Sequence, residues 1–278
     1  LLTTITILSS TYSFSQDTLR VKTVQDVYVR ELLGSSSDML RLPNIQGTDI
    51  FAGKKNEVIK IGTSAADLST NNSRQIFNKV PGLSIWENDG SGIQTGIATR
   101  GLSPNRSWEF NVRQNGTDIS SEVFGYPEAY YAPPSEALEK IEIVRGAGAL
   151  QYGPQFGGML NYVTKKSLGN KPLSVESAQT VGSFGLFNSF NAIGGKFKKF
   201  SYYAYLHQRN AQGWRENSAY RTRTASISMT YDFSKKWQLS AEYTNMNYVS
   251  QQAGGLSDMQ FAADPRQSSR ERNWFSTP

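Results

Sequence analysis

Arginine and aromatic side chains are the chemistry this sequence offers. Arg106 and Trp108 stand in one stretch, and Tyr126, Tyr130 and Tyr131 crowd another. A guanidinium pairs with a carboxylate through a planar fork, and aromatic rings can wall a pocket, so these residue types suit an anionic ligand. Histidine occurs once, at His207, and one histidine cannot form a metal site unaided. Cysteine is absent, which excludes disulfides, thiolate metal sites and cysteine nucleophiles. No nucleophile, base and orienting group form a set, and no phosphate-binding loop is present, so an enzyme is not expected.

The elements that must position these residues change character along the chain. Ile141 to Val144 is an apolar strand signal that runs into Arg145-Gly146. Clustered glycines and Pro154 then force tight backbone, and Met159 to Thr164 is a second strand signal. Before this block, short strand candidates appear at Glu57 to Ile61, Leu83 to Trp86, Ile97 to Gly101 and Glu109 to Val112. Ser64 to Phe77 reads as a helix, with Ser64 as cap and Ala65, Leu68 and Ile76 as apolar positions. Pro81-Gly82 stops it, Asn88 to Gly92 and Asn115-Gly116 are turn signals, and Ser135 to Lys140 reads as one helical turn.

After Lys166 the period becomes two. From Arg221 to Phe233, Arg221, Arg223, Ala225, Ile227, Met229, Tyr231 and Phe233 share one face, and Thr and Ser residues share the other. Phe200 to Arg209 and Trp237 to Thr244 alternate likewise, and weaker runs cover Leu173–Val181 and Phe184–Gly194. A tilted membrane strand takes roughly 9–11 such residues, which places the two arginines at its outer end, beyond the hydrocarbon. Connections alternate in length as well. Lys196 to Lys199 and Ser234 to Lys236 are short, while Ala211 to Tyr220 and the stretch from Gln251 are long. Gly182 to Gly185 is the one short connection on the long-loop side. Strand parity turns His207 inward, where a hydrogen bond suffices to explain it.

Beyond the N-terminus, no apolar run approaches the roughly 20 residues of a spanning helix, which leaves a strand-built membrane protein open. The net charge of +6 is spread along the chain instead of forming a stripe, so nucleic acid is not an expected partner. Residues 1–15 read as the remnant of an export signal, with apolar Leu1 to Leu8 and a small-x-small site at Ser13-Phe14-Ser15.

Four segments, in order, resemble the plug domain of TonB-dependent outer-membrane receptors. They are Phe77 to Leu83 with its Pro81-Gly82, Ile97 to Gly101, Asn115-Gly116, and the long closing block Ile141 to Thr164. Asp49 to Ile59, Gly153-Pro154-Gln155 and Arg272-Asn273-Trp274-Phe275 look most like the ferric-citrate receptor branch. The resemblance implies an α+β plug domain followed by antiparallel transmembrane β-barrel strands, an incomplete part of a barrel of about 22 strands. It divides the chain into a signal remnant (1–15), a periplasmic arm (16–46), a plug (47–166) and the first barrel strands (167–278). About five strands precede Pro278, and an open edge cannot face lipid, so further strands are expected from sequence beyond it.

The implied function is active import of a ferric chelate, iron-citrate-like or a siderophore, with no resident cofactor or metal. Import of cobalamin or a glycan, or a non-transporting surface receptor or adhesin, is the alternative. Outer-membrane lipid surrounds the barrel, and TonB with its inner-membrane partners supplies the energy by pairing with an extended TonB box. Thr23, Val24, Gln25, Asp26, Val27, Tyr28 and Val29 are the candidate box, with Asp17 to Val21 as rival. The outward plug loops Asp89 to Thr95, Ser103 to Trp108 and Phe124 to Tyr131 are expected to meet substrate, with Arg106, Trp108, Tyr126, Tyr130 and Tyr131 as candidate contacts and Gln212, Trp214 and Arg215 as weaker ones. Arg100, Gly101, Arg145 and Gly146 are assigned to plug packing and gating, the arginines facing acidic groups on the barrel wall.

Overall fold

The computed structural model describes residues 39–51, 55–64, 66–78, 80–121, 129–234, 236–270 and 275–276. The signal remnant, the candidate TonB box with its rival, Tyr126 and the Arg272 to Trp274 run lie outside the described residues.

The first strands are short: β1 (Met39–Leu40), β2 (Ile45–Gln46), β3 (Asp49–Ile50), β4 (Asn56–Lys60), β5 (Leu83–Glu87), β6 (Thr95–Thr99), β7 (Phe110–Gln114), β8 (Thr117–Asp118), β9 (Leu138–Arg145) and β10 (Gly158–Thr164). Six of them form a mixed sheet in the order β1–β4–β9–β10–β7–β8. β10 runs antiparallel to β9 and parallel to β7, with Gly158 opposite Phe110. β9 lies near the middle because it can bury both faces. Ile141 and Ile143 join Ile59, Ile97, Phe110 and Leu160 in one cluster, and Val144 joins Leu42, Phe51, Val58 and Met159 in another. Each fully buried aliphatic side chain contributes about 1.5–3 kcal/mol. Gly158, where β10 starts between β9 and β7, has φ 153° and no room for a side chain. A Cβ there would stand 2.6 Å from the Val144 carbonyl oxygen and 2.8 Å from the Phe110 ring.

Two local expectations differ from this fold. Ser64 to Phe77 is not one helix: helical structure is confined to a 3-10 turn at Ile61–Thr63 and the short helix Ser73–Phe77. Asp67 accepts from the Ser69 amide at 2.9 Å, and Asn71 adopts φ 51°, so side-chain turns outcompete the helix between them. Asn72, not Ser64, caps the helix, accepting from the Gln75 amide. Ser135 to Lys140 is helical only at Ser135–Ala137, and β9 begins at once.

The second half is an antiparallel meander of long strands. They are β11 (Ser174–Gly182), β12 (Leu186–Phe197), β13 (Phe200–Ala211), β14 (Tyr220–Asp232) and β15 (Gln238–Gln251), followed by the two-residue β16 (Phe275–Ser276). Each pairs with its sequence neighbours, and the order β11 to β16 leaves the sheet unclosed among the described residues. The first long strand begins at Ser174, within the weaker alternating run Leu173–Val181. One face packs on the mixed sheet and buries Asn188, Phe190, Tyr203, Tyr205, His207 and Arg209. The opposite face exposes Ile193, Leu206, Leu239 and Tyr243. The long strands therefore present apolar residues to the exterior, as barrel strands in lipid do.

Candidate functional site

The wall and the mixed-sheet unit meet through polar groups. Lys165 bonds the Glu176 carboxylate at 2.8 Å. Glu242 on β15 accepts from Gln114 and, at 2.6 Å, from Asn115, the turn between β7 and β8. Glu136 accepts from Asn188 Nδ2 at 2.7 Å, and the Asn188 Oδ1 in turn lies 2.7 Å from His207 Nε2, which therefore donates. His207 is thus a buried hydrogen-bond donor to the wall's own asparagine. Burial raises the Glu136 carboxyl above its ordinary value, partly offset by hydrogen bonds to it, including that from Asn188. Arg209, stacked 5.4 Å over Tyr220, donates to the Ser91 carbonyl and so ties the wall to the Asn88–Gly92 turn.

That turn is one bank of a cavity of about 1630 Å³ at the long-loop end. Asp89, Gly90, Gly92 and Gln94 from one loop, Asn105 and Arg106 from a second, and Tyr130 from a third line it on the mixed-sheet side. Arg74 and Trp86 stand beside them. Trp214, Arg215, Tyr220, Gln252 and Arg270 face them from the wall and its loops. Local turn chemistry sets the loops. Asp89 Oδ1 accepts from the Ser91 hydroxyl and amide at 2.8 and 3.1 Å, and the Ser107 hydroxyl accepts from the Ile97 amide at 3.0 Å. Burial pushes the Asp89 carboxyl up, and the Ser91 and Ser250 hydroxyls pull it partly back.

The described parts of the three loops singled out from the sequence reach this cavity, but their side chains divide. Arg106 and Tyr130 line it. Trp108 does not: it is 55% exposed and packs under the Arg106 guanidinium at 5.5 Å. Tyr131 turns to the wall instead, among Gln114, Tyr205, Thr244 and Glu242, and burial pushes its hydroxyl up to about 12. Of the weaker candidates, Trp214 lines the cavity, and Gln212 packs on Gly185 outside the lining. Arg215 also lines it, but its guanidinium braces the outer loops, donating to the Gly254 and Gln267 carbonyls at 2.7 and 2.8 Å. Arg74, Trp86 and Arg270 escaped the sequence reading. Trp86 alone had a signal, lying just ahead of a turn already marked as outward.

The arginine–glycine pairs also depart from expectation. Arg145 faces no wall carboxylate; its partner is Glu57 on β4, bonded by both Nε, at 3.0 Å, and Nη2, while Nη1 donates to the Pro81 carbonyl at 2.5 Å. Arg100, at φ 57°, is exposed at the end of β6, and its guanidinium lies against Gly146, which takes φ 61°. A side chain at Gly146 would collide with it. Gly101 is exposed at φ 80° and completes that turn. Among the described residues, no group of three or more His, Asp or Glu side chains is placed to hold a metal.

A unit built on a mixed sheet meets an outward-apolar meander through polar contacts, the arrangement of a plug against a barrel wall. Residues 54–159 match the family model described as the TonB-dependent Receptor Plug Domain. Among solved structures, the chain is similar to the ferric citrate transporter FecA in its unliganded form, at 26% identity and TM-score 0.59, covering 78% of this chain and 34% of that one. It shares its fold with the ferripyoverdine receptor of Pseudomonas aeruginosa (14% identity, TM-score 0.60, 77% and 29% covered). The same holds for the ferric yersiniabactin uptake receptor FyuA of Yersinia pestis (17%, TM-score 0.55, 72% and 32%). The chain spans about a third of the length of these relatives. Residues 54–159 are the plug domain of a TonB-dependent outer-membrane receptor, and the strands from Ser174 are the first of its barrel wall.

Proposed function

We propose that the receptor imports a ferric chelate bearing carboxylates, of the iron-citrate kind, taken up in the cavity between plug apices and outer loops. One observation carries this reading: Arg74, Arg106 and Arg270 converge there with Trp86, Trp214 and Tyr130. Guanidinium forks match carboxylates, and aromatic rings give the rest of the chelate an apolar wall. The likeness to a ferric citrate transporter supports the same substrate class. TonB supplies the energy, pairing with the Thr23–Val29 segment by strand addition.

The test uses the full-length receptor in detergent and in cells. Ferric citrate is expected to quench Trp fluorescence on binding, and Arg74→Gln with Arg106→Gln to weaken that binding at least about a hundredfold, since each charge-assisted hydrogen bond contributes roughly 1.5–3 kcal/mol. Val27→Pro with Val29→Pro is expected to abolish uptake while leaving binding intact. Unchanged uptake of every ferric chelate after deletion of the receptor overturns the iron reading, and unchanged uptake by the proline variant overturns the box.

A further inference from the structure

Three arginines of the cavity are braced by different means. Arg74 Nε lies 3.4 Å from the Glu87 carboxylate, and Arg106 stacks 5.5 Å over Trp108, so each plug arginine is steadied by a neighbour in the plug. Arg270 stands in the outer loop that follows β15 and is steadied from across the cavity. Its Nη1 donates to Gln252 Oε1. Gln252 Nε2 donates to Gln94 Oε1 at 2.9 Å, and Gln94 Nε2 donates to Tyr248 Oη at 3.4 Å. Gln94 belongs to the plug, just ahead of β6, and lies 158 residues from Gln252. Gln94, Gln252 and Arg270 all line the cavity, and Tyr248 is buried on β15.

Chemistry fixes the direction of this relay. An amide side chain can be turned end for end, but a guanidinium only donates. Arg270 therefore keeps the oxygen of Gln252 toward itself. That leaves the Gln252 nitrogen for Gln94 and the Gln94 nitrogen for Tyr248. Each donor meets an acceptor in this one sense of the chain.

The backbone of the loop is held separately. The Gln252 carbonyl accepts from Asn217 Nδ2 at 3.0 Å, and the Ala253 carbonyl accepts from the Ser269 amide at 2.9 Å. Arg215 braces the same loop through the Gly254 and Gln267 carbonyls. The loop thus keeps its course by its own contacts, and the plug contributes the aim of one side chain. An arginine that samples many rotamers loses that freedom when it grips a ligand, whereas one held beforehand has little left to lose.

We infer that Gln94 is a positioning residue: acting through Gln252, it sets the Arg270 guanidinium for the bound chelate, so the wall-side cation is in place only while the plug apex is seated. The inference rests on the chelate reading of the cavity for the identity of the ligand. An apex drawn from its seat carries the Gln94 oxygen out of reach of Gln252, loosens Arg270 and weakens the grip on a carboxylate.

The test uses the full-length receptor in detergent and two readouts. The first is a double-mutant cycle on ferric citrate affinity. Gln94→Leu is expected to weaken binding about fivefold, the worth of one ordinary hydrogen bond. In the Arg270→Gln background it is expected to change binding by less than about twofold, because the interaction it serves is gone. The second readout needs no ligand. Phenylglyoxal modification of Arg270, followed by peptide mass spectrometry, is expected to quicken about fivefold in Gln94→Leu and at least as much in Gln252→Leu, with Arg74 as internal control. The heat-modifiable migration of a folded barrel checks assembly, and Gln252→Leu stands in for Gln94→Leu if that variant fails it. Equal weakening with and without Arg270, or unchanged Arg270 reactivity in the folded variants, overturns the inference. Failure of wild-type receptor to bind ferric citrate overturns the chelate reading instead, and the Arg270 reactivity then decides the relay by itself.

Discussion

In the plug, Ile141, Ile143 and Leu160 are fully buried between layers, whereas in the wall Leu206, Leu239 and Tyr243 are 65%, 62% and 66% exposed. Polar residues show the reverse. The plug buries few charges and pairs them, as Arg145 with Glu57, while the wall turns Asn188, His207, Arg209 and Ser250 inward. One chain thus meets two solvents. The plug is stabilised by withdrawing apolar area from water, and the wall by matching apolar area to lipid while its backbone is satisfied between strands. The same substitution should therefore have different consequences in the two regions.

The largest effect is expected from Ile143→Ala, about 4 kcal/mol off the plug's stability, because the fully packed site leaves a cavity. Leu206→Ala, which only shortens a lipid-facing side chain, should cost less than about 1 kcal/mol. Calorimetry of the full receptor in detergent measures both, and equal losses would erase the contrast. Ile227→Arg reverses the comparison. It places a charge in the apolar rows and should cost about 3 kcal/mol in a urea titration in lipid bilayers. Next comes Glu57→Gln, expected to cost about 2 kcal/mol, as it leaves Arg145 buried without its counter-charge and Glu57 retains some solvent. The smallest effect is pH-dependent. The Asp89 carboxyl titrates above its ordinary 3.8 in the folded protein, so the protonated form favours the docked apex loop. That stability is complete below 3.8 and is lost as pH rises through the raised value. Hydrogen exchange at residues 88–94, corrected for intrinsic rates, should show faster opening toward neutral pH, and Asp89→Asn should flatten the slope.

What was legible in the sequence follows the same division. Wall strands run for 12 to 14 residues from β12 to β15, long enough for period two to stand out from noise. The plug's central strand was legible for a different cause, the closely spaced Ile141, Ile143 and Val144 just ahead of a glycine cluster. Contacts across the fold were not. Arg145 lies 88 residues from Glu57, and Tyr131 takes its position from strands far along the chain, so neither partner is encoded locally. Trp108 illustrates the limit of residue type: an aromatic in the right loop stacks on the arginine that reaches the cavity instead of reaching it. The break in the expected helix was foreshadowed by Asn71-Asn72-Ser73, whose side chains compete for backbone donors.

The parallel pairing of β7 with β10 has a consequence for the order of assembly. Gly158 must find Phe110 across 48 residues of chain, and β9, which stands between β4 and β10, arrives only just before it. The plug therefore cannot close until nearly all of it has been delivered, and the first wall strand follows only ten residues behind Thr164. Wall hairpins such as β12–β13 join across a two-residue turn and can zip one after another. Closing the plug requires a pairing of high sequence separation, whereas the wall is built from pairings between sequence neighbours. The two meet at the Lys165–Glu176 ion pair, which links the last piece of the plug to the first piece of the wall.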